Sequence, residues 1–510
     1  MSALLKNIPI IILFICFLPI LFLGLFDLDE GVFAATSLQM LIDKEYFIPT
    51  IGDELRLEKP ILSYWIQALS MSIFGMNEFA LRIPSFLAAF VWALSFTSFV
   101  KQQDRNFNGT NLFLIFFTIP GIFLISFAAT ADAFLNTLIT LTLISLFKYS
   151  NDKKASYLNN AAIFMGLGFL VKGLTIIFLC GSIFFLYLLF ARQINIFFKA
   201  VLSYKPWLIF FLIIIPWTAL ILLRLDFDSF NYLFFGQSFG RFTNTFENHT
   251  GPIYYYFVVL PFLILPFFTD FIKGFFSSKF RFNKLDMFFG AWFLFTLIFF
   301  SLSSTKLPHY LIYGLTPAAY FIEKYHLKIS NKGLSILALL FQIVIWSLLF
   351  ALPYLLSYLA EVTQTYEISS VAIQNFLNDL SYKVIIGITI LSIFIAFFFK
   401  FKSSKVKKLA GLSFIVILSF KITPFMHSLA QNDIKELGLY AREKNHDVSM
   451  YKVNKPSFAF YAQKKSFRGL RANSYILTRK DKLDQINATY KIILEKENYL
   501  IIKIEVNHSE

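Results

Sequence analysis

Cysteine, histidine and charged residues are all scarce in this chain. Its 510 residues include only 2 Cys and 6 His, and 15% are charged. Both cysteines lie inside apolar runs, so neither a disulfide framework nor a zinc framework is predicted. The chain also lacks a glycine-rich nucleotide cradle, a Walker signature and a Ser/His/Asp order, which argues against a nucleotide-driven enzyme and predicts no nucleotide cofactor.

Apolar residues are abundant instead. They make up 57% of the chain, which has 67 Phe and a mean hydropathy of +0.65, and this excludes an ordinary soluble globule. Much of the formal net charge of +15 lies in short loops between apolar runs, which membrane topology explains better than nucleic-acid binding. The first apolar run, Asn7 to Phe26, is longer than a signal-peptide core and is predicted to be retained. The sequence therefore predicts a polytopic membrane protein.

Windows of about 20 apolar residues predict thirteen transmembrane spans. One set of alternate loops holds about twice as many Lys and Arg as the other, so the positive-inside rule places the amino terminus in the cytoplasm. An odd number of spans then places the carboxyl-terminal segment outside the cytoplasm. The predicted spans are 7–26, 79–100, 111–129, 133–149, 156–171, 174–191, 206–224, 253–272, 286–303, 309–323, 334–357, 383–400 and 409–427.

The pattern predicts two domains, a membrane domain over 1–427 and a small α/β domain over 428–510. Two long loops of the membrane domain, 27–78 and 225–252, face the same side as the small domain and hold apolar segments that suit the membrane interface. The elements predicted in the small domain are an amphipathic helix, Asp433–Lys444, and three strands, Tyr475–Thr478, Tyr490–Leu494 and Tyr499–Val506.

Seven charged residues lie beside ends of predicted spans on the side opposite the amino terminus. A charge near the middle of a membrane helix costs roughly 2.5 to 3.5 kcal/mol, so this one-sided clustering predicts a polar site that faces one compartment. Lysine and arginine suit a bound phosphate, and carboxylates suit proton transfer. The seven residues are Asp29, Glu30, Lys59, Asp132, Lys172, Arg241 and Lys306.

Several of the candidate residues also have an ordinary structural explanation. Asp29 and Glu30 fit the interfacial flank of a span. Asp132 fits a helix N-cap, and Lys172 fits a lysine that snorkels to the interface. A single histidine such as His249 fits a simple surface residue. Position alone leaves both interpretations open.

Short motifs along the membrane domain resemble a known family. The motifs are Asp29-Glu30, Glu58-Lys59-Pro60, Tyr64-Trp65, Phe74-Gly75, Arg82-Ile83-Pro84-Ser85, Phe169-Leu170-Val171-Lys172-Gly173, Arg241-Phe242, His249 with Gly251-Pro252, and Lys306-Leu307-Pro308. In this order they resemble the polyprenyl-phosphate-sugar glycosyltransferases of the GT-C fold, nearest to the aminoarabinose transferases that modify lipid A and the related protein O-mannosyltransferases. The resemblance implies a GT-C fold in a bacterial inner membrane, with the site and the small domain in the periplasm.

The resemblance also implies a role for each site residue. Asp29 would accept the proton of the acceptor hydroxyl or orient that hydroxyl, and Glu30 would assist it. Lys59 would hold the carrier phosphate, with Arg241 and Lys306 as further phosphate ligands. Other residues expected at the site are Glu58, Asp132, Lys172, His309 and Tyr310, with Glu58 and His249 as ligands of a divalent metal ion such as zinc. The arginine that often follows the loop histidine in aminoarabinose transferases is Thr250 here.

The implied reaction moves a sugar from undecaprenyl phosphate or a similar carrier to lipid A or another envelope glycolipid. The expected enzyme is a monomer in contact with membrane lipids, and its product has inverted anomeric configuration if one carboxylate acts as the base without a covalent intermediate. One alternative is transfer to Ser or Thr of a protein. A lipid-linked sugar transporter or flippase and a noncatalytic scaffold are the others. Transport favours ionisable residues near the midplane and two related halves, and neither is seen in the sequence.

Overall fold

A computed structural model gives the fold of most of the chain. It describes residues 2–240, 250–278, 280, 283–329, 332–363, 368–465, 467–470 and 474–505, with only the backbone described at 2–7, 238–239 and 360–363. Helices dominate the described residues up to about 443, and a small sheet follows.

The helices begin and end as follows. In chain order they are α1 (Ser2–Phe22), α2 (Asp29–Asp43), α3 (Leu62–Phe74), α4 (Glu78–Gln103), α5 (Gly109–Thr118), α6 (Pro120–Phe127), α7 (Asp132–Asp152), α8 (Ala155–Lys172), α9 (Thr175–Phe190), α10 (Ile194–Val201), α11 (Tyr204–Arg224), α12 (Phe227–Asn231), α13 (Tyr255–Leu263), α14 (Phe268–Phe276), α15 (Lys284–Leu302), α16 (Leu315–Lys328), α17 (Ile336–Thr363), α18 (Ser370–Leu377), α19 (Leu380–Phe398), α20 (Ser403–Ile417), α21 (Thr423–Ala430), α22 (Asn432–Glu443) and α23 (Ser457–Ala462). Turns of π-helix cover Tyr232–Gly240 and Leu418–Ile422, and 3₁₀ helices cover Pro308–Gly314 and Lys480–Gln485.

Seven helical segments in the described part of the chain are long and apolar enough to cross a membrane, or nine if each of two bent helix pairs is one span. Every predicted span coincides with a helix or a helix pair. Several of these helices, such as α1 and α9, are shorter than a full apolar span in the described residues. The polytopic membrane fold is therefore confirmed, whereas the count of thirteen spans stays a prediction.

The two bent pairs have proline at or near their breaks. The axes of α5 and α6 differ by 77°, and Pro120 begins the second helix. The axes of α13 and α14 differ by 114°, with Pro266 in the connection. Proline has no backbone N–H to donate, so a helix readily begins at it and is readily interrupted by it. The helix after the first bend, α6, ends at the short turn before α7, and Asp132 is the first residue of α7.

The long first loop contains the two expected helices, α2 and α3, which pack against each other. Between them a small antiparallel hairpin pairs β1 (Thr50–Ile51) with β2 (Glu54–Leu55). Gly52 turns this hairpin with a φ of 61°, a conformation that glycine adopts without steric cost. The loop is thus a folded layer at the end of the helix bundle.

Aromatic packing holds α1 against its neighbours. The Phe17 ring lies 5.0 Å from the Phe86 ring of α4 and 5.4 Å from the Phe117 ring of α5, both in edge-to-face geometry. Such aromatic pairs are worth about 0.5–1.5 kcal/mol beyond their buried area. They restrain the helix that ends just before Asp29.

The carboxyl-terminal part is a small α/β unit, as predicted. Its mixed sheet has the order β3-β4-β6-β5, and β3 runs parallel to β4 while the other pairs are antiparallel. The strands are β3 (Val448–Met450), β4 (Tyr475–Arg479), β5 (Tyr490–Glu495) and β6 (Tyr499–Ile504). The structure confirms the predicted helix, as α22, and the three predicted strands. The sequence patterns missed the short elements β3 and α23, and the boundary at 427/428 stays a prediction.

Side chains of β6 alternate between two small cores, as the period of a strand requires. Tyr499 and Ile501 join Leu437 of α22 and Phe458 of α23 on one face. Leu500, Ile502 and Ile504 pack on the other face. Helix α23 packs on one face of this sheet and also against α2. It therefore connects the carboxyl-terminal unit to the first loop.

Candidate functional site

Asp29 is the first residue of α2 and its side chain is exposed. Within the part of the chain that the structure describes, no hydrogen bond or ion pair occupies its carboxylate. A carboxylate at a helix amino terminus is favoured by the helix dipole. Asp29 therefore carries a free, accessible acceptor group in a fixed element.

Glu30, the next residue, has a different environment. Its side chain is buried and forms a two-point contact with Arg82 of α4, at 2.8 Å from Oε1 to Nε and 2.5 Å from Oε2 to Nη2. The backbone N–H groups of Phe26 and Ala129 also donate to this carboxylate, at 2.9 and 2.8 Å. These four contacts make Glu30 an anchor for the chain around Asp29, and its assisting role in catalysis stays a prediction.

Arg82 connects this anchor to the end of α1. Its guanidinium donates to the carbonyl oxygen of Ile20 at 2.7 Å, to that of Gly24 at 2.9 Å, and to that of Leu23. Carbonyl groups at a helix end lack partners inside the helix, and here the arginine satisfies them. Arg82 is the first residue of the Arg-Ile-Pro-Ser motif, and these hydrogen bonds explain why an arginine is needed there.

The turn before α7 is held by the same layer. Ala129 donates its N–H to Glu30 and accepts a hydrogen bond on its carbonyl oxygen from Gln67 Nε2 of α3, at 2.9 Å. The Gln67 amide oxygen in turn accepts from Ser37 Oγ at 3.0 Å. Two loops distant in sequence are thereby joined, one carrying Asp29 and the other carrying Asp132.

Asp132 and Lys172 form the centre of a second polar group. Lys172 Nζ donates to Asp132 Oδ1 at 2.7 Å, and Tyr313 Oη donates to the same oxygen at 2.9 Å. The lysine also donates to Tyr313 Oη at 2.7 Å and lies over the rings of Tyr310 and Tyr313, at 5.8 and 5.5 Å from their centroids. The predicted residues Asp132, Lys172 and Tyr310 therefore meet in one place.

His309 connects the two polar groups. This half-buried imidazole interacts electrostatically with Asp132, Lys172, Asp29 and Lys59. It lies in the 3₁₀ helix, where Tyr310 and Tyr313 share a face because residues three apart align. The structure thus gathers five predicted charged or titratable residues and Tyr310 at one end of the bundle.

The Glu58-Lys59 motif lies at the edge of this site. Lys59 is half-buried, and its Nζ donates to the Glu58 carbonyl oxygen at 3.1 Å. The Glu58 carboxylate pairs with Arg56, with 2.5 Å between Oε2 and Nη1. A carboxylate neutralised by arginine is a poor ligand for a divalent cation, because the two positive charges compete for it.

Among the remaining predicted residues, the structure describes Lys306, which bonds to backbone groups of its own segment. Lys306 is buried, and its Nζ donates to the carbonyl oxygens of Ser301 and Ser303 at 2.9 and 2.6 Å. Arg241 and His249 lie outside the described residues. Among the residues that the structure does describe, no group of three or more His, Cys, Asp or Glu side chains is placed to hold a metal. The metal ion expected at Glu58 and His249 stays a prediction, because His249 is not among the described residues.

Sequence reasoning missed Tyr313, Gln67 and the anchoring role of Arg82. A signal for Tyr313 was present, since it follows Tyr310 by three residues in a short segment that begins with proline. No comparable signal marks Gln67, because a glutamine inside an apolar helix has many ordinary explanations. Its role depends on a contact 62 residues away in the chain.

Several known proteins are similar to this chain in sequence. The profile of the family described as dolichyl-phosphate-mannose-protein mannosyltransferase matches residues 58–219. An uncharacterised protein of Aquifex aeolicus is 30% identical over 325 residues, which are 60% of this chain and 69% of that protein. The undecaprenyl phosphate-alpha-4-amino-4-deoxy-L-arabinose arabinosyl transferase of Wigglesworthia glossinidia brevipalpis is 29% identical over 343 residues, 64% of this chain and 60% of the relative. The match thus spans about three fifths of the arabinosyl transferase.

Solved structures match over almost the full length. The crystal structure of ArnT from Cupriavidus metallidurans in the apo state superposes with a TM-score of 0.80 at 15% identity, covering 98% of this chain and 97% of that chain. The structure of the same protein bound to undecaprenyl phosphate gives a TM-score of 0.76 at 16% identity. The fold, including the carboxyl-terminal unit, is therefore shared. Taken with the sequence relatives, these matches show that the chain belongs to the membrane glycosyltransferases of the GT-C fold, in the family of the aminoarabinose transferases.

Proposed function

We propose that this protein transfers a sugar from a polyprenyl phosphate, such as undecaprenyl phosphate, to lipid A or a related envelope glycolipid. The observation that carries the proposal is that the free carboxylate of Asp29 interacts electrostatically with the His309 imidazole, as Lys59 and Lys172 also do. An acid without a bonded partner suits proton transfer, and neighbouring cations suit a departing phosphate. The names of the arabinosyl transferase relatives support this donor and acceptor class.

The chemistry follows from these residues. The acceptor hydroxyl oxygen attacks C1 of the sugar while the bond from C1 to the phosphate oxygen breaks. The hydroxyl proton passes to Asp29, and the bonding electron pair stays on the phosphate. Lys59 neutralises the charge that develops there, and Lys172, held by Asp132 and Tyr313, adds positive potential to the site. Because the carrier phosphate is already the leaving group, the reaction requires no nucleotide.

The same scheme assigns roles to other predicted residues and an orientation to the protein. Arg241 and Lys306 are further phosphate ligands in this scheme, and Lys306 would have to exchange its two carbonyl partners for phosphate oxygens. The site and the carboxyl-terminal unit lie in the periplasm of a bacterial inner membrane, the amino terminus lies in the cytoplasm, and the enzyme acts as a monomer. A divalent metal ion held by Glu58 and His249 stays a prediction, and no step of the proposed reaction depends on it.

One variant tests the proposal directly. Asp29→Asn keeps the shape of the side chain and removes its charge. With purified protein, polyprenyl-phosphate sugar and lipid A, we expect transfer to fall by about 10²- to 10⁴-fold while the protein inserts and purifies normally. Glu54→Gln, which alters an exposed acid of the same loop, is the matched control and should retain wild-type rates. Full activity of Asp29→Asn would rule out Asp29 as the base.

A second acceptor class is favoured by one observation, the match of residues 58–219 to the protein mannosyltransferase profile. Mass spectrometry of envelope lipids and glycoproteins from a strain that lacks this chain separates the two classes. Loss of a sugar from lipid A or another glycolipid supports the main proposal. Loss of a sugar from Ser or Thr of proteins, with unchanged lipids, would replace it with protein glycosylation.

A further inference from the structure

The carboxyl-terminal unit contacts the chain directly before Asp29. Tyr461 Oη of α23 accepts a hydrogen bond from the backbone N–H of Leu25 at 2.7 Å. Ser457, at the start of α23, donates its N–H to Asp27 Oδ1 at 3.0 Å and its Oγ–H to Asp27 Oδ2 at 2.5 Å. Three hydrogen bonds therefore link one short helix to the segment between α1 and α2.

Gly31 allows this close approach. A Cβ atom at position 31 would lie 1.8 Å from Asp27 Oδ1 and 2.7 Å from the Ser457 backbone nitrogen. Both distances are far below contact distance, so a side chain there would displace one partner or the other. The glycine that follows the Asp-Glu pair is thus explained by the neighbouring α23, since Gly31 itself has no positive φ.

On the side away from Asp27, α23 packs closely against α22. Gly438 of α22 lies so close to α23 that an added Cβ would be 2.6 Å from Tyr461 Cβ. The Lys435 ammonium of the same helix pairs with Glu78 at 2.6 Å and lies 5.5 Å from the centroid of the Tyr461 ring. Tyr461 is thereby fixed between the sheet unit and the start of α4.

The geometry matters for Asp29 because nothing in the described chain bonds to its side chain. The position of its carboxylate depends on the backbone between Leu25 and Glu30. Glu30 and Arg82 hold one side of that segment inside the membrane domain, and Ser457 and Tyr461 hold the other. If the second restraint were absent, the segment would pivot about the first, and a displacement of about 1 Å at a reacting group can cost about 10²-fold in rate.

We infer that Ser457 and Tyr461 are positioning residues for the Asp29 carboxylate, so that the carboxyl-terminal unit completes the glycosyltransferase site by contact with the chain before the base. The inference rests on the proposed function. It predicts a loss in kcat with little change in donor affinity, because Lys59 and Lys172 lie outside the contact.

The test compares Tyr461→Phe, Ser457→Ala and Ser457→Thr with wild-type protein. The first two remove one hydroxyl each and should lower kcat about tenfold or more, with an unchanged Kd for undecaprenyl phosphate. Ser457→Thr keeps the hydroxyl and should retain most of the rate. Lys465→Ala is the matched control, because it removes an ion pair of 2.5 Å with Asp43 from the same interface at the distant end of α2.

Hydrogen exchange of peptide 25–31 provides a readout that is independent of turnover. We expect faster exchange in Tyr461→Phe and Ser457→Ala and unchanged exchange in Lys465→Ala. Wild-type kcat in both hydroxyl variants would overturn the inference while leaving Asp29 as the base. An equal loss in Lys465→Ala would also overturn it, since docking in general would then be responsible. A wild-type protein without transferase activity would overturn the proposed function and the inference together.

Discussion

The Asp132 carboxylate and the Lys172 ammonium lie 2.7 Å apart, although 40 residues separate them in the chain. Their contact joins the start of α7 to the end of α8. The Tyr313 hydroxyl is hydrogen-bonded to both side chains. Both side chains are largely shielded from solvent, at 13% and 14% exposure. Breaking a pair of this kind leaves one charge without compensation, which is more costly than removing both charges.

A double-mutant cycle checks this relationship. We expect Asp132→Asn and Lys172→Met each to lower the thermal unfolding midpoint and the transferase rate. The double variant should be more stable than the sum of the single losses predicts, with a coupling free energy of about 1–3 kcal/mol. Thermal unfolding in detergent measures it. Strictly additive losses would mean that the two side chains do not act as a pair.

Lys59 is expected to act on the donor rather than on the acceptor. A hydrogen bond to a charged group contributes about 1.5–3 kcal/mol, so Lys59→Ala should weaken binding of polyprenyl phosphate by about 10- to 100-fold. Binding of the acceptor should remain unchanged. Lys44→Ala, which alters an exposed lysine of the same loop, provides the control. Equal donor affinity in wild-type protein and Lys59→Ala would contradict a phosphate contact.

Arg82 is expected to be irreplaceable by lysine. Its guanidinium bonds to both Glu30 oxygens and to three backbone carbonyl oxygens at the end of α1, and a single ammonium cannot reproduce that geometry. We predict that Arg82→Lys and Glu30→Gln each reduce stability by a few kcal/mol, with activity falling in parallel. Thermal unfolding and transfer assays on the same preparations test this. A stable Glu30→Gln protein with lost activity would instead assign Glu30 a direct catalytic role.

We expect the stability of the protein to depend on pH through the Asp27 carboxyl, which bonds to α23. Burial is the largest effect on this group and raises its pKa from 3.8 to about 6. The folded protein therefore favours the protonated carboxyl, and this stabilisation is present at acidic pH and lost as the pH rises through about 6. Asp27→Asn removes the titration. We expect the stability of wild-type protein relative to Asp27→Asn to fall by roughly 1–3 kcal/mol between pH 4 and pH 7. A constant difference in unfolding midpoint over this range would contradict it.

The stereochemistry of the product tests the single-carboxylate mechanism. One base and no covalent sugar–enzyme intermediate predict inversion at C1 of the transferred sugar. NMR of the purified product reports the anomeric configuration directly. Retention would require two successive displacements and a nucleophile that the proposed site does not assign.

The sequence patterns were most informative where a residue's predicted role depends on its neighbours in the chain. The ends of apolar runs predicted Asp29, Lys59, Asp132 and Lys172 on one side of the bilayer, and in the structure all four interact electrostatically with His309. Hydropathy also predicted the strands at the carboxyl end, because the alternation of side chains along β6 is visible in its letters.

Roles that depend on contacts between residues distant in the chain could not be predicted from the sequence. Glu30 looks equivalent to Asp29 in the sequence, but only the fold brings Arg82 and the Ala129 N–H to Glu30 and leaves Asp29 exposed. Lys306 looks equivalent to Lys59, and only the fold directs its ammonium to two backbone carbonyl groups. For His249 and Arg241, which lie outside the described residues, the sequence predictions stand as made.

Composition and periodicity alone determined that this chain enters a membrane and carries a small α/β unit, because burying apolar area is a property of local stretches of sequence. The order of short motifs indicated the family. Tertiary structure decided which carboxylate is free and which is anchored, and it placed Ser457 and Tyr461 beside the chain before Asp29. Hydrogen bonds require atoms within about 3 Å, and only the folded chain brings residues more than 400 positions apart to that distance.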